Sequence, residues 1–422
     1  MTIDRLYEND IAQSRDLDDR GSAVDPARWP DVAARPESVT ARIRGRAAEA
    51  LFRRATAGLP PDAPRMIVHD EDALFRRVGT AGLIGFGESY MAGEWTADDL
   101  VATLTPLAQR IADIVPAALQ RLRPIILPSH PRDEENSLAN TRSNISRHYD
   151  LSNDLFASFL DETMTYSSAY FGSDDAAAHA DWDDLADAQR AKIDRLLDQA
   201  GVESGTRLLE IGTGWGELAV RAAERGAVVR SITLSHEQQA AARRRATSAG
   251  LADRIRVDLA DYRSVDGDYD AVVSVEMVEA VGRDYWGDYF ATINRVLAPG
   301  GRAAIQAITM PHDRVLASTG TYTWVHKYIF PGGQIPSEQA LRHAAALSGL
   351  TPTYAESFGL HYAKTLELWR ERFSAHRDRV AELGFDDTFV RMWTFYLAYS
   401  EAGFASRYLD VCHLVYTKGA GR

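Results

Sequence analysis

The chain has one cysteine, Cys412, in 422 residues. It cannot close a disulfide on itself or build a cysteine-based metal cluster, which suits a reducing cytoplasm. No apolar run reaches the roughly 18–20 residues that span a bilayer. The opening MTIDRLYEND lacks the charged-then-apolar pattern of a secretion signal. Basic residues are in the minority: 47 Lys and Arg against 60 Asp and Glu, a formal net charge of −13. That excludes broad nucleic-acid binding, which needs an extended cationic face, though a local basic patch remains open. The expectation is a water-soluble, cytoplasmic protein with no nucleic-acid partner.

What is present is globular: 45% hydrophobic and 25% charged residues rule out disordered and fibrous classes. The length suggests two domains. Residues 1–40 are polar and broken by Pro26, Pro30 and Pro36. Ser38 to Ala57 reads as a helix carrying Arg42, Arg44, Arg46, Arg53 and Arg54. GLIGFGESYMAGEW, residues 82–95, reads as a packed turn region followed by a short helix from Thr96, and 100–122 as an amphipathic helix. The stretch LRPIILPSHPRDEENSLANTRSN, with its prolines and polar run, reads as a linker. The division expected is an N-terminal accessory domain over 1–122, a linker over 123–140, and a second domain over 141–422.

In that second domain, strands and helices alternate. RLLEI (207–211), VVRSITL (228–234), RIRVDLA (254–260), YDAVVSVEMV (269–278) and RAAIQAI (302–308) read as short apolar strands. Helices are expected over 217–226, from Glu237, and near 284–297, 337–349, 363–383 and 387–405, with a last strand VCHLVYT. This alternation implies an α/β fold with a mostly parallel sheet covered on both faces.

The strongest chemical signal is RLLEIGTGWGE. A strand ends at Glu210; Gly212, Gly214 and Gly216 follow, with Thr213 between them, and then a helix begins. Such glycines let a ligand approach the backbone beside free N–H donors of a helix start. A dinucleotide site wants G-x-G-x-x-G, but the sixth position is Glu217, which repels phosphate. The pattern suits S-adenosylmethionine, whose ammonium Glu210 can accept. A tight turn with no ligand is the plainer alternative. Downstream, Gln238 and the Thr233, Leu234 and Ser235 backbone are candidate adenosine contacts. At the third strand's end, Asp261 is placed for the adenine amino group and Tyr262 for its ring, or the pair is an ordinary surface turn.

RHYDLSNDLFASFLDETMTYSSAYF (147–171), LLEIGTGWGE, TLSHEQ, KYIFPGGQIPS (327–337) and HYAKTLELW (361–369) together resemble the cyclopropane-fatty-acid synthase family. That family includes the mycolic-acid methyltransferases and the enzymes that build methylene-branched stearate on phospholipids. The resemblance covers roughly residues 80–420, and GLIGFGESYMAGEW resembles the family's N-terminal accessory domain. It implies a class I, Rossmann-like methyltransferase with a seven-stranded sheet, a cofactor site that includes Tyr166 and Ser167, and methylation of a cis double bond in an acyl chain. The resulting cation wants a dry pocket with aromatic faces, for which Tyr166, Tyr170, Phe171 and Trp215 are candidates. Ordinary core packing is the alternative for any one of them.

The family's base is a bound bicarbonate. Carried over, its ligands are Ser168 in place of a cysteine, Glu279, Gln306 in place of a histidine, Ile308 and Tyr362. Gln306 donates a neutral N–H but cannot become cationic. The site is therefore either rearranged around Gln306 or works with Glu279 as a direct base. The changed strand-five residue favours a methylene product over a cyclopropane; a silent lipid-binding subunit and a small-molecule methyltransferase are the outlying readings. The resemblance further implies a membrane phospholipid substrate, a peripheral position on the inner face of the membrane, a flavin- or NADPH-dependent reductase as partner, and a homodimer. The Arg42–Arg54 segment, near Leu51 and Phe52, is either a headgroup-docking face or a solvated helix.

Overall fold

The computed structural model describes residues 23–56, 66–110, 152–318 and 321–420. Its frame is a seven-stranded sheet of β3 (Arg207–Ile211), β4 (Val228–Thr233), β5 (Ile255–Leu259), β6 (Tyr269–Val275), β7 (Leu297–Thr309), β8 (Leu350–Ser357) and β9 (Asp410–Lys418), in the order β5-β4-β3-β6-β7-β9-β8. β3 is central and pairs in parallel with β4 and β6, with Leu209 opposite Arg230 on one side and Val272 on the other. β9 runs antiparallel between β7 and β8. The chain leaves β3 in one direction toward β4 and β5 and returns to its other side at β6. Such a reversal opens a crevice at the carboxyl ends of the strands, where α/β sheets take ligands.

The apolar strand segments lie where the sequence pattern puts them. Two elements escape that pattern. β8, LTPTYAES, is a largely exposed edge strand with Pro352, so it lacks a buried strand's apolar run. The helix Trp182–Ala200 opens on a capping box of Asp181 and Asp184 and stops at Gly201, whose φ of 72° is left-handed.

In the N-terminal part, α1 (Val39–Thr56), α2 (Glu71–Ala81), α3 (Leu83–Met91) and α4 (Leu100–Gln109) surround a two-stranded ladder of β1 (Met66–Val68) and β2 (Trp95–Ala97). The expected turn over 82–95 is mostly helix, and Thr96 lies in a strand. The glycines of this segment serve close packing: a Cβ on Gly85 would fall 2.1 Å from the Arg77 carbonyl oxygen, and one on Gly87 2.4 Å from the Trp324 ring. Trp95 is buried with its ring 4.7 Å from that of Phe86, and both rings pack on Phe395 of the long helix Asp387–Ala405. N- and C-terminal segments thus share one core. The expected linker over 123–140 lies outside the described residues, as do residues 111–122 of the helix expected over 100–122.

Candidate active site

A cavity of about 1030 Å³ opens at the carboxyl ends of β3, β4 and β6. One wall is the glycine turn. Gly212, Gly214 and Gly216 have φ of 99°, 51° and 92°, values that favour glycine. A Cβ on Gly214 would meet nothing within 4 Å, so this backbone faces open space. A Cβ on Gly216 would lie 2.9 Å from Ala242 Cα, so that glycine lets two helices approach. Thr213 bonds Ser231 at 2.7 Å, and Ser231 donates to Glu210. Burial pushes the Glu210 carboxyl up to about 8, with only the Ser231 bond opposing it. A cationic ligand group beside Glu210 reverses that shift by Coulomb attraction.

Thr233, Leu234, Gln238, Asp261 and Tyr262 line the same cavity. Gln238 uses its amide oxygen to accept from Thr233 at 2.7 Å, which leaves its NH2 to a ligand. The Tyr262 hydroxyl is buried with no partner among the described residues. Two expected contacts differ. Ser235 does not line the cavity: it caps the helix His236–Ser248 by accepting from the Gln238 N–H. Asp261 is committed to Arg263, whose backbone and guanidinium occupy both carboxylate oxygens, so it is not the free acceptor expected for an adenine amino group. An acid-lined backbone cradle, a spare amide donor and an orphaned phenol fit S-adenosylmethionine.

The far side of the cavity holds the acids. Glu276 follows β6 with φ of 50°, a strained conformation for a non-glycine residue. Its carboxylate is gripped at both oxygens. Oε1 accepts from the Ser168 backbone N–H at 3.0 Å and from Gln306 Nε2 at 2.7 Å; Oε2 accepts from the Tyr362 hydroxyl at 2.7 Å. Three of the five residues that the family resemblance assigns to bicarbonate here donate to a side-chain carboxylate. Ser168 and Gln306 do not line the cavity; they stand behind Glu276 and hold it.

Gln306 is itself fixed. Its amide oxygen bonds His413 Nε2 at 2.9 Å. Burial holds the His413 imidazole well below its ordinary pKa and favours the neutral ring. With its NH2 donating to Glu276, Gln306 turns its amide oxygen to His413, an arrangement that suits the tautomer protonated at Nε2. Burial raises the Glu276 carboxyl; the buried Lys192 ammonium, then the three donors, oppose that rise. Lys192 donates to the Ser167 hydroxyl at 2.6 Å, and desolvation pulls its amine down to about 8.

Glu279 sits one helical turn further along, on the helix Val278–Val281, and accepts from the Ile308 backbone N–H; its other oxygen is buried with no described partner. Burial first, then the neighbouring Glu276 charge, pushes it up to about 8. Burial thus favours the protonated form of Glu279, whereas Glu276, which the expected site did not include, is the acid that Ser168, Gln306 and Tyr362 grip. The family resemblance points to the second acid of SVEMVE, Glu279; the first, Glu276 at the strand's end, is the one the donors grip.

Of the four aromatics expected around a cation, Tyr166 and Trp215 line the cavity. Tyr170 packs under Arg195, 4.7 Å from its ring, and Phe171 beside His361; neither lines it. Phe330, Tyr362, Tyr396 and Tyr399 complete the aromatic wall. Phe52, Val78, Leu83, Phe86, Leu104 and Leu107 of the N-terminal helices extend it with apolar surface, a contribution that the sequence reading did not foresee. No His, Cys, Asp and Glu cluster suited to a metal exists among the described residues.

The profile described as mycolic acid cyclopropane synthetase matches residues 136–414. The tuberculostearic acid methyltransferase UfaA1 of Mycobacterium tuberculosis is 54% identical over 92% of this chain and 95% of its own. The cyclopropane-fatty-acyl-phospholipid synthase of Escherichia coli is 32% identical over 89% of this chain and 93% of its own. Among solved structures, the mycolic acid cyclopropane synthase CmaA1 complexed with SAH and CTAB aligns at a TM-score of 0.60 and 31% identity, covering 66% of this chain and 98% of its own.

Proposed function

The chain belongs to the mycolic acid cyclopropane synthetase family, and from that premise we propose that it adds a one-carbon unit to the cis double bond of an oleoyl-type phospholipid chain, leaving a methylene branch. When bound, S-adenosylmethionine supplies an electrophilic methyl group that the alkene's π electrons attack, which leaves a carbocation on the acyl chain. The chain's residues divide the remaining work. Glu210 and the 212–216 backbone hold the cofactor's charged amino-acid end, and Gln238 with Tyr262 its adenosine end. The apolar wall from the N-terminal helices excludes water, which captures a cation faster than a proton can be removed. Aromatic faces of Tyr166, Trp215 and Tyr396 offer a desolvated cation roughly 1–2 kcal/mol each.

Glu276 carries the reading. After a hydride shift, its carboxylate takes a proton from the newly added carbon; the C–H electron pair becomes the exocyclic double bond, and Glu276 becomes a carboxylic acid. Ser168, Gln306 and Tyr362 aim it and favour its ionised form against burial. The 54% identical relative, named for tuberculostearic acid, supports a branched product. Reduction of the methylene to a methyl branch requires a hydride donor, so we place a flavin- or NADPH-dependent reductase after this step. Contact with the inner face of the membrane follows from a substrate that lives there; no described helix is long and apolar enough to cross it.

The second reading, favoured by the Escherichia coli relative, keeps the same base and closes a ring instead. Incubation with S-adenosylmethionine and dioleoyl phospholipid, followed by mass spectrometry and NMR, separates them. Exocyclic vinylidene protons support the proposal; upfield cyclopropane protons overturn it.

A further inference from the structure

We propose that the outer face of α1, centred on Val39, Ile43, Arg42 and Arg46, docks on an anionic phospholipid bilayer. This rests on the acyl-lipid reading above.

The inner face of α1 is fixed by close packing on α2. Ala41 and Gly45 are buried, and a Cβ on Gly79 would fall 2.5 Å from the Arg44 carbonyl carbon. With 3.6 residues per turn, Val39 and Ile43 then face outward, and Arg42 and Arg46 flank them along a small cleft that Glu49, Glu71 and Asp72 also line. The two aliphatics are unsheltered: Val39 is 70% exposed and Ile43 66% exposed, one turn apart. Large aliphatic side chains this open, side by side on one helix, mark an interaction surface rather than a folded core.

Charge identifies the partner. The chain is strongly acidic, yet α1 carries Arg42, Arg44, Arg46, Arg53 and Arg54 against Glu49 alone. Arg53 is spent on Glu49 and Glu71. Arg42, Arg44 and Arg46 make no ion pair with any described residue. Cations that flank exposed aliphatics match the headgroup-and-acyl boundary of an anionic leaflet.

The other side of α1 reaches the cavity: Phe52, seven residues beyond Gly45 and on the same packed face, lines it, and so does Leu83. Leu83 is 46% exposed. A leucine that belongs both to the cavity wall and to the surface marks a mouth.

The test is co-sedimentation of the full-length protein with dioleoyl phosphatidylglycerol vesicles and with dioleoyl phosphatidylcholine vesicles. Arg42→Glu with Arg46→Glu should weaken binding to the anionic vesicles at least about 20-fold, since each surface cation is worth about fivefold. Val39→Asp with Ile43→Asp should lower binding to both. Turnover of oleoyl phospholipid dispersed in neutral detergent micelles should stay within about twofold of wild type for both pairs, because none of the four residues lines the cavity. Unchanged vesicle binding in both pairs overturns the proposal. So does conversion of a dimer to a monomer with vesicle binding intact, which makes the face a contact between copies. Failure of the wild type to turn over lipid in either dispersion sinks the functional reading instead and leaves the binding comparison standing.

Discussion

The Tyr362 hydroxyl donates to Glu276 Oε2 at 2.7 Å across 86 residues of sequence. Tyr362 comes from the helix Gly359–Ala375, and its ring stacks on Phe404 at 4.4 Å, so the donor is held rigidly. With Ser168 and Gln306 on the other oxygen, a full complement of donors surrounds one carboxylate at the end of β6. Hydrogen bonds to an ionised acceptor are the strong ones, and here they counter the desolvation that drives the acid toward its neutral form.

This arrangement separates the two acids by experiment. Glu276→Gln should lower kcat by roughly 10²–10⁴, with S-adenosylhomocysteine affinity by calorimetry unchanged. Glu279→Gln mimics a carboxyl that already holds its proton at neutral pH, and its kcat should fall by no more than about tenfold. The reverse ranking would return the base to Glu279.

Removing the tethered carboxylate should expose the donor set. Glu276→Gly also relieves the φ of 50° at this position, so the fold should survive. We expect an inactive enzyme that millimolar bicarbonate or formate partly restores, measured as initial rate against added anion. Wild-type turnover should be the same in bicarbonate-free buffer. A wild-type requirement for bicarbonate contradicts the site as described.

The pH profile should report the groups around Glu276. The Tyr362 bond and the Lys192 charge both favour its ionised form. Tyr362→Phe and Lys192→Met each remove such support, so the Glu276 pKa rises. A base works only above its pKa, and the acid limb of kcat/KM should therefore move to higher pH in both variants. An unmoved limb with a uniformly lower plateau would assign these residues to packing alone.

Glu210 links cofactor and stability. Its folded-state pKa of about 8 lies above the ordinary carboxylate range. The folded state therefore holds a proton that the unfolded chain has released, and stability falls as pH rises toward about 8. Apo Glu210→Gln should lose less Tm between pH 6 and pH 8.5 than the wild type, read by thermal unfolding. The same variant lacks the anion for the cofactor's ammonium, so its affinity for S-adenosylmethionine should drop roughly 10–100-fold. Unchanged affinity would place the ammonium elsewhere.

The sequence by itself determined the frame. The apolar runs at 207–211, 228–233 and 269–275 are strands because only a doubly covered parallel sheet shelters such segments. The glycine turn after Glu210 is legible because left-handed backbone and an open ligand face admit few other residues. Local chemistry of this kind is written in consecutive residues. The identity of the base is not. Glu276 and Glu279 are both acids beside the same strand end, and each is read alone as a candidate. What distinguishes them is the company brought by distant segments: Ser168 from the loop before the sheet, Gln306 from β7, His413 from β9, Tyr362 from a late helix. Desolvation and hydrogen bonding act through space, over a few ångströms. Only the folded chain decides which carboxyl meets three donors and a buried ammonium, and which meets one backbone N–H and its neighbour's charge.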